Sequence, residues 1–264
     1  MNETELMLTT IRQCRRIDLY LDGRPLSLLE RSRLENMQVR RDNGEPLQYI
    51  LGECAFFGLR FKVDPRVLIP RPETELLVDE IVRLAKEFSG KPVNILDIGT
   101  GSGNIAISLA KFISQASVMA IDVSASALAL AGENAKANGV ENQIQFLNED
   151  LHQFMVHDGQ KFNIIVSNPP YVEQAQLATL PRDVQQEPLM ALDGGEDGLK
   201  FYSPIIAGGS RMLADGGYLF LEIGDGQRPG IEQIFSQSAA YENISFKPDY
   251  VGTNRIVVAQ KIKF

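Results

Sequence analysis

Short apolar runs alternate with helical patterns over the C-terminal part of the chain. From residue 93 onward, seven runs have the length and residue types of strands: VNILDI, SVMAID, IQFLN, FNIIVS, GYLFLEI, NISFK and NRIVVAQ. NIAISLAKFI and ASALALAGENAKANG, between the early strands, are typical of helices. This alternation predicts an α/β fold of βαβ units around a mostly parallel sheet covered on both faces. The last two strands lack a clear helix between them, which predicts an antiparallel hairpin at one edge of the sheet.

The first part of the chain has a different pattern. Residues 3 to about 50 are rich in Leu, Arg, Glu and Gln, which favours short helices. DGRPLS predicts a break between two of these helices, with Ser27 capping the second. Aromatic residues around Gly58 predict a β-hairpin, and the prolines that follow predict an extended linker. We therefore expect an N-terminal helical domain, a hairpin with a linker, and an α/β domain, over residues 1–52, 53–72 and 73–264 respectively.

Composition and charge narrow the classes of function. A chain of 264 residues with 44% hydrophobic residues has room for one substantial core and a small extra domain. Its net charge of −8 is a poor match for a protein that holds nucleic acid through many phosphates, so we expect no direct nucleic-acid binding. The basic stretches RQCRR and VRRDNG are better interpreted as solvated helix faces.

Cysteine and histidine are scarce. Cys14 and Cys54 have no CxxC spacing, and His152 and His157 have no partner spacing, so we expect reduced thiols, surface histidines and no metal ion. The N-terminus has no signal-peptide pattern, and no segment approaches the roughly 18 apolar residues of a membrane span. These features predict a cytoplasmic location and no membrane partner.

A strand, a glycine-rich turn and a helix follow one another in NILDIGTGSGNIAISLA. Gly99, Gly101 and Gly103 allow a tight turn and a close approach of a ligand to the backbone, and the helix N-terminus presents free N–H groups. The next strand ends at Asp122, about 20 residues further on, where a carboxylate can accept both hydroxyls of a ribose. GxGxG alone is a weak signal, but the two features together predict a nucleoside cofactor.

S-adenosylmethionine fits this pattern better than a dinucleotide. A dinucleotide site has the spacing GxGxxG, whereas here Asn104 stands where the third glycine would be. After the third strand, Asp150 and Leu151 suit the adenine amino group and ring face. Asp150 has an equally good interpretation as the cap of the following turn.

The segment SNPPYVEQ ends the fourth strand with a rigid polar group. Proline cannot donate to a sheet ladder, so the chain leaves the sheet at Asn168, at the edge where open α/β sheets bind ligands. The side-chain oxygen of Asn168 and the carbonyl of Pro169 can accept both N–H bonds of a planar NH2 group, and Tyr171 offers an aromatic wall. Such a clamp orients a weakly nucleophilic amide or aryl amine nitrogen toward a methyl donor without a strong base.

Four motifs carry a family resemblance. NPPYV, LIPRPETE, LDIGTGSGNIAISLA and EPLMALDGGEDGL together resemble the HemK/PrmC family, and the similarity extends over nearly the whole chain. NPPY alone is shared with adenine DNA methyltransferases and some RNA guanine methyltransferases. The resemblance implies a Rossmann-like class I S-adenosylmethionine-dependent methyltransferase with a small helical domain. It also implies the reaction, methylation of the side-chain amide nitrogen of the glutamine in the GGQ motif of peptide chain release factors, which modulates translation termination.

The resemblance further implies the residues of the site. Carried over by position, the donor site comprises the glycine-rich loop, the ribose acid, an adenine contact and the clamp asparagine: Gly99, Thr100, Gly101, Ser102, Gly103, Asp122, Leu151 and Asn168. The implied catalytic residues are Asn168, Pro169 and Tyr171, and the glutamine site adds Pro170. Leu151 is smaller than the tryptophan or other large residue of many members. The helical domain is expected to be shorter than usual, since ETELMLTTI starts inside it.

IPRPETE has two interpretations. The prolines can hold the linker over the cofactor, with Arg71, Thr74 or Glu75 near the methionine tail. Alternatively, Pro72 starts a helix at its first position, with acids in the first turn. Two further acids match family positions but are more simply interpreted as a sheet-end acid and a turn residue: Glu222 and Asp197.

Two other functions remain open. A nucleic-acid amine methyltransferase would use the same clamp on adenine or guanine, but the acidic charge and the lack of a target-recognition domain count against it. A binding module would keep the fold without catalysis, which is disfavoured because both the glycine-rich loop and the clamp are intact.

Overall fold

The computed structural model describes residues 2–88, 90–155 and 159–263, so His157 lies outside the described residues. The helices are α1 (Glu3–Arg12), α2 (Arg16–Asp22), α3 (Leu28–Asp42), α4 (Leu47–Leu51), α5 (Pro72–Leu84), α6 (Asn104–Phe112), α7 (Ala125–Asn138), α8 (Leu151–Phe154), α9 (Tyr202–Met212) and α10 (Arg228–Ser236). The strands are β1 (Glu53–Phe56), β2 (Leu59–Lys62), β3 (Val93–Ile98), β4 (Ala116–Asp122), β5 (Ile144–Asn148), β6 (Phe162–Ser167), β7 (Leu213–Glu222), β8 (Tyr241–Pro248) and β9 (Asn254–Lys261). None of the helices in this part of the chain combines the length and apolar character that a bilayer span requires.

The central sheet has seven strands in the order β5-β4-β3-β6-β7-β9-β8. The strands from β5 to β7 pair in parallel, whereas β9 is antiparallel to both of its neighbours. All seven predicted strands are therefore present, and the predicted antiparallel hairpin at one edge is confirmed. The hairpin enters the sheet by its second strand, so that β8 forms the edge.

Alternate residues of each strand enter different cores, which is why both faces of the sheet need covering. Ile95 packs in a core with Leu77 of α5 and Leu109 of α6, on one face. The next residue, Leu96, packs in a second core with Ile205 of α9, on the other face. The prediction of a sheet covered on both faces is confirmed.

The N-terminal helices have a small core of their own around Met7, Met37 and Ile50. Ser27 caps α3 as predicted: its Oγ accepts from the Glu30 backbone N–H at 3.2 Å, and the Glu30 carboxylate accepts from the Ser27 backbone N–H at 2.7 Å. This reciprocal pair satisfies two donors at the helix start.

The linker lies against the α/β part through a group that we call the linker seat, consisting of Tyr49, Val63, Val67 and Ile69. These buried side chains pack with residues of α7. The Tyr49 hydroxyl donates to the Val67 carbonyl at 2.5 Å. The linker seat therefore fixes the helices to the sheet at the level of α7.

Candidate active site

Polar segments lie at the carboxyl ends of four neighbouring strands of the sheet. The glycine-rich loop follows β3, Asp122 ends β4, Asn168 follows β6 and Glu222 ends β7. Because parallel strands end at the same edge, the topology brings these segments together where open α/β sheets bind ligands. No three His, Cys, Asp or Glu side chains among the described residues are grouped to hold a metal ion.

The glycines of the loop serve two different needs. Gly99 and Gly101 have φ angles of +71° and +54°, a region that favours glycine, and a Cβ at either would meet open space. Gly103 also has a positive φ, but a Cβ there would come within 2.8 Å of Ile107 and 3.2 Å of Ala131. Gly103 thus permits the close packing of α6 against α7, while the first two glycines shape the turn.

Asn134 supports this loop and was not singled out from the sequence. It is buried on α7, and its Nδ2 donates to the Ser102 carbonyl at 2.9 Å and the Lys62 carbonyl at 3.1 Å. Its Oδ1 accepts from the Lys62 backbone N–H at 2.8 Å. The side chain therefore joins the glycine-rich loop to the β1–β2 hairpin. An asparagine on the alanine-rich face of α7 was the only sign of this role.

Asp122 faces the glycine-rich loop. Its Oδ2 accepts from the Gly101 backbone N–H and its Oδ1 from the Ser124 backbone N–H, both at 2.8 Å. Burial raises the pKa of this carboxyl, and the two backbone donors oppose the shift. Two carboxylate oxygens have about four acceptor sites, so the group can still accept hydroxyls of a ribose.

Asp97, near the end of β3, is a second acid that contacts the loop, and the sequence interpretation missed it. It is fully buried, and its Oδ2 accepts from the Thr100 hydroxyl at 2.6 Å and the Ala106 backbone N–H at 3.2 Å. Its Oδ1 has no hydrogen-bond partner among the described residues, and burial raises the pKa of the carboxyl to about 7. An acceptor without a partner, beside a turn of glycines, fits a ligand that brings a donor such as the ammonium group of S-adenosylmethionine.

Asp150 and Leu151 follow β5. The Asp150 carboxylate caps α8 by accepting from the backbone N–H groups of His152 at 2.9 Å and Gln153 at 3.2 Å. The interpretation of Asp150 as a cap is therefore confirmed. Leu151 is half-buried against the second core, and its contact with adenine stays a prediction.

The clamp asparagine is the outer end of a chain of hydrogen bonds. The Asn168 Nδ2 donates to the Thr74 Oγ1 at 3.2 Å, and the Thr74 hydroxyl donates to the Glu222 Oε2 at 2.7 Å. No hydrogen bond within the described part of the chain goes to the Asn168 Oδ1 or the Pro169 carbonyl. Among those residues, the two acceptors proposed for a substrate NH2 group thus have no internal partner.

The LDGGEDG segment, residues 192–198, holds the chain that follows the clamp. The Val172 backbone N–H donates to the Leu192 carbonyl at 2.9 Å, and the Gly194 N–H donates to the Val172 carbonyl at 2.8 Å. A Cβ built at Gly194 would lie 2.7 Å from the Cα of Tyr171. The glycine therefore lets two backbone segments touch, which fixes the half-buried ring of Tyr171, whose pKa is raised by burial.

Gln227 connects the same region to β7, and nothing in the sequence had marked it. Its Nε2 donates to the carbonyls of Tyr171 at 3.0 Å and Gly198 at 3.1 Å. Its Oε1 accepts from the Gly224 backbone N–H at 2.8 Å and the Tyr202 hydroxyl at 3.2 Å. Three of the four bonds cross between separate segments, and the bond from Gly224 stays within the loop after β7, so one amide side chain fixes that loop against the clamp.

The residues of IPRPETE separate into different roles. The helix start at its second proline is confirmed, because α5 begins there. Arg71 donates to the buried Glu187 carboxylate at 2.5 Å, and the Glu75 carboxylate accepts from the Phe57 backbone N–H at 2.9 Å. These two residues anchor the linker and the hairpin, and Thr74 is the one that contacts the clamp.

The two acids interpreted as structural differ in their surroundings. Asp197 accepts from the Leu199 backbone N–H at 2.9 Å, which confirms it as a turn residue. Glu222 does end a strand, but it is 1% exposed and hydrogen-bonded to a neighbour of Asn168. A strand-end position alone did not indicate this contact.

Family models match both parts of the chain, the PrmC N-terminal domain over residues 1–52 and the Methyltransferase small domain over residues 72–187. A release factor glutamine methyltransferase of Thermodesulfovibrio yellowstonii is 36% identical over 262 residues, which are 99% of this chain and 92% of that protein. One of Chlorobaculum tepidum is 43% identical over 226 residues, 83% of this chain and 76% of that protein.

Solved structures share the fold. A methyltransferase from Pyrococcus furiosus is 20% identical with a TM-score of 0.57, and the match covers 86% of this chain and 99% of that one. The catalytic domain of hMettl16, solved with the MAT2A 3'UTR hairpin 6, is 16% identical with a TM-score of 0.57, covering 87% of this chain and 81% of that one.

The protein is a class I methyltransferase that uses S-adenosylmethionine. This class is defined by the order of the strands in the sheet, the glycine-rich loop and the acids at the strand ends. The family models and the curated relatives narrow this class further. The chain belongs to the release factor glutamine methyltransferase family.

Proposed function

We propose that this protein transfers a methyl group from S-adenosylmethionine to the side-chain amide nitrogen of a release factor glutamine, the one in the GGQ motif. The observation that carries the proposal is the clamp, in which the Asn168 Oδ1 and the Pro169 carbonyl accept no hydrogen bond from any described residue. Two such acceptors fit the two N–H bonds of a primary amide. We infer that the protein acts in the cytoplasm, because translation termination takes place there.

The donor is held by residues at the ends of β3, β4 and β5 in this proposal. The loop Gly99–Gly103 cradles the methionine tail, and Asp97 accepts from its ammonium group. Asp122 accepts the ribose hydroxyls, and Leu151 covers the adenine ring. When bound there, S-adenosylmethionine supplies an electrophilic methyl group on a sulfonium centre. Two observations support this assignment: the buried Asp97 Oδ1 has no hydrogen-bond partner in the described part of the chain, and the space over the first two glycines is open.

The clamp acts on the acceptor by orientation and electrostatics. An amide nitrogen is a poor nucleophile because its lone pair is delocalised into the carbonyl. Accepting both of its N–H bonds fixes the amide plane, so that the lone pair points out of that plane toward the methyl group. Positive charge that develops on the nitrogen then meets the fixed acceptors of Asn168 and Pro169. The new C–N bond would replace the sulfur–methyl bond, so the donor would leave as a neutral thioether and the amide nitrogen would lose one N–H proton to water. Pro170 and Tyr171 form the walls around the amide.

Residues 1–52 are proposed to contact the release factor. Their helices have a separate core and expose large apolar side chains, among them Ile17, Tyr20, Leu21, Leu28 and Leu29. All five lie in α2 or at the start of α3, and neighbouring exposed apolar side chains are typical of contact surfaces for other proteins where they form one patch.

The basic stretches do not favour nucleic acid as the acceptor. In RQCRR, the Arg12 side chain pairs with Glu30 at 3.1 Å. In VRRDNG, Arg41 pairs with Glu3 at 3.1 Å. Arginines that already have carboxylate partners offer little to phosphates, which supports a protein acceptor.

Labelling distinguishes the acceptors. The wild-type protein is incubated with methyl-labelled S-adenosylmethionine and, separately, with a release factor, duplex DNA and RNA. We expect label on the GGQ glutamine alone, located by mass spectrometry of the digested release factor. A release factor with that glutamine changed to glutamate is the matched control, since it has no N–H pair for the clamp and should stay unlabelled. Label on adenine or guanine would contradict the proposal.

A further inference from the structure

Three side chains from three different elements form a line into the interior. Asn168 follows β6, Thr74 lies in the first turn of α5, and Glu222 ends β7. Thr74 and Glu222 are each 1% exposed, whereas Asn168 is half-buried at the site. The line therefore connects the clamp to a buried acid, Glu222, which has no role in donor binding in the proposed function.

Donor and acceptor roles along this line have a single consistent assignment when Glu222 is ionised. A carboxylate can only accept, so the Thr74 hydroxyl proton points to Glu222, at 2.7 Å. The Thr74 oxygen must then accept the next hydrogen bond, at 3.2 Å, and only the nitrogen of the Asn168 side chain can donate it. The Asn168 oxygen is left on the opposite side of the amide.

We propose that Glu222 is a positioning residue which, through Thr74, fixes the polarity of the Asn168 amide so that its oxygen faces the substrate. The two ends of an asparagine amide have nearly the same shape, so packing alone does not select one of them. The reversed amide would set an NH2 group against the NH2 group of the substrate and would remove one acceptor. This inference rests on the proposed function, since it concerns the same clamp.

Protonation of Glu222 would reverse the direction of the hydrogen bonds along this line. A neutral carboxyl can donate to the Thr74 oxygen, and the Thr74 hydroxyl can then donate to the oxygen of Asn168. Turnover should therefore fall where Glu222 gains a proton.

Several groups set the proton affinity of Glu222. Burial, with a smaller contribution from the charge of Glu73 of α5, raises its pKa to about 7. The hydrogen bond from Thr74, the charge of Arg255 of β9 and a direct contact with the Asn168 amide oppose this shift. The phenols of Tyr171 and Tyr202 also face it, and burial raises the pKa of both, so they stay neutral. The transition of interest thus lies near neutral pH.

A pair of variants separates the hydroxyl from the shape of Thr74. Thr74→Val keeps the shape and removes the hydroxyl, and we expect kcat on the release factor to fall about 30-fold with an unchanged Kd for S-adenosylmethionine. Thr74→Ser keeps the hydroxyl and should stay within about threefold of wild type in kcat. Ser108→Ala, which deletes a buried hydroxyl without a hydrogen-bond partner in the described residues, is the control and should turn over normally. Wild-type kcat in Thr74→Val, or an equal loss in both Thr74 variants, would overturn the proposal.

The pH dependence of kcat, compared between the wild type and Glu222→Gln, gives a second readout that a purely structural role would not produce. Wild-type kcat should decrease about tenfold from pH 8 to pH 6, whereas the low kcat of Glu222→Gln should change little over that range. The side-chain NH2 resonance of Asn168, identified by its absence from Asn168→Ala, should titrate with a midpoint near pH 7 in the wild type and not in Glu222→Gln.

The NH2 resonance needs no acceptor, so it separates the two proposals. A titrating resonance without methylation of a release factor refutes the function and keeps the positioning role. Methylation with a resonance that does not titrate, or with the same pH profile in Glu222→Gln as in the wild type, refutes the positioning role alone. The resonance also decides the matter if Thr74→Val fails to fold.

Discussion

Asn168 supplies one atom to the proposed chemistry, its Oδ1, and the remainder of the side chain holds that atom in place. The bond from its Nδ2 to Thr74 fixes the plane of the amide, and the two prolines after it fix the backbone. Such preorganisation matters because an acceptor that must reorient during the reaction stabilises the transition state less. At the scale of single residues, binding of the donor and activation of the acceptor should therefore be separable.

Asn168→Ala should leave the Kd for S-adenosylmethionine largely unchanged and remove most turnover. The loss of one preorganised acceptor should raise the barrier by about 3 kcal/mol, roughly a hundredfold in kcat. Asp122→Ala should do the reverse, raising that Kd more than tenfold while sparing kcat at saturation, because its carboxylate supports the loop and the ribose. Calorimetry with the donor and a methylation assay measure both. A weak donor complex in Asn168→Ala would refute the separation.

The stability of the donor-free protein should fall as pH rises from 5 to 8. Burial raises the pKa of both Asp97 and Glu222 to about 7, above the ordinary values near 4 that apply to the unfolded chain. The folded protein therefore holds these protons more tightly, and the resulting stability is fully present below pH 4 and lost as pH rises through 7. Each acid contributes roughly 4 kcal/mol, since each unit of pKa difference is worth about 1.4 kcal/mol.

Thermal unfolding at several pH values tests this stability prediction. Asp97→Asn and Glu222→Gln, measured separately, should each flatten the decrease in Tm between pH 5 and pH 8. The same slope in both variants and in the wild type would show that these acids do not cause it. Activity should change in the opposite direction to stability in the wild type, since turnover requires ionised Glu222.

Sequence patterns located the residues of the site that lie in motifs, and they named Thr74 and Glu222 without indicating that these two contact each other and the clamp. Gly99 to Gly103, Asp122 and Asn168 each follow a strand, so the topology of parallel strands predicts their common edge. Thr74 and Glu222 are 148 residues apart, and Gln227 is 56 residues from Tyr171. Contacts over such separations depend on the packing of α5 and α10, which no local pattern specifies.

At the scale of elements, the sequence patterns did not predict α9 and α10, because both helices contain proline and glycine, which have low helix propensity. YSPIIAGGSRM forms α9 in spite of a proline and two glycines. A Cβ at Gly208 would lie 2.6 Å from Met155, and one at Gly209 would lie 2.9 Å from the Tyr241 hydroxyl. These glycines thus bring α9 close to its neighbours, and tertiary packing offsets their low helix propensity. RPGIEQIFS, with Pro-Gly in its first turn, forms α10.

Gly194→Ala tests the role of the LDGGEDG segment. The added methyl group would lie 2.7 Å from the Tyr171 Cα and 2.8 Å from its carbonyl carbon, and backbone atoms cannot move aside as a flexible side chain does. We expect a loss of about 1–3 kcal/mol in the free energy of unfolding and a tenfold or greater loss in kcat. Gly132→Ala, at a helical position where a Cβ meets open space, is the control and should be neutral or slightly stabilising. Equal kcat in the two variants would contradict this role.

At the scale of the whole molecule, the helices of residues 1–52 and the sheet are joined through the linker seat. Tyr49→Phe removes the hydroxyl that donates to the Val67 carbonyl and leaves a buried acceptor unsatisfied. We expect a decrease of about 1–2 kcal/mol in the free energy of unfolding and a higher KM for the release factor, with the Kd for S-adenosylmethionine unchanged. Tyr250→Phe, at a side chain that is 89% exposed, should stay within about 0.5 kcal/mol of wild type.

Denaturant unfolding and initial rates with an intact release factor check this prediction. An unchanged KM in a destabilised Tyr49→Phe protein would show that the linker seat contributes stability without affecting acceptor binding.

The linker seat also sets a distance. It holds the N-terminal helices at a constant distance from the clamp. When an acceptor protein contacts both, only a glutamine at the matching distance from the first contact reaches Asn168. A short peptide with the same glutamine contacts the clamp alone. It therefore lacks the effective concentration, on the order of millimolar, that a second contact provides. The enzyme would thus ignore the many other glutamines of a cell through the shape of the whole acceptor, with little need to read the residues around the amide.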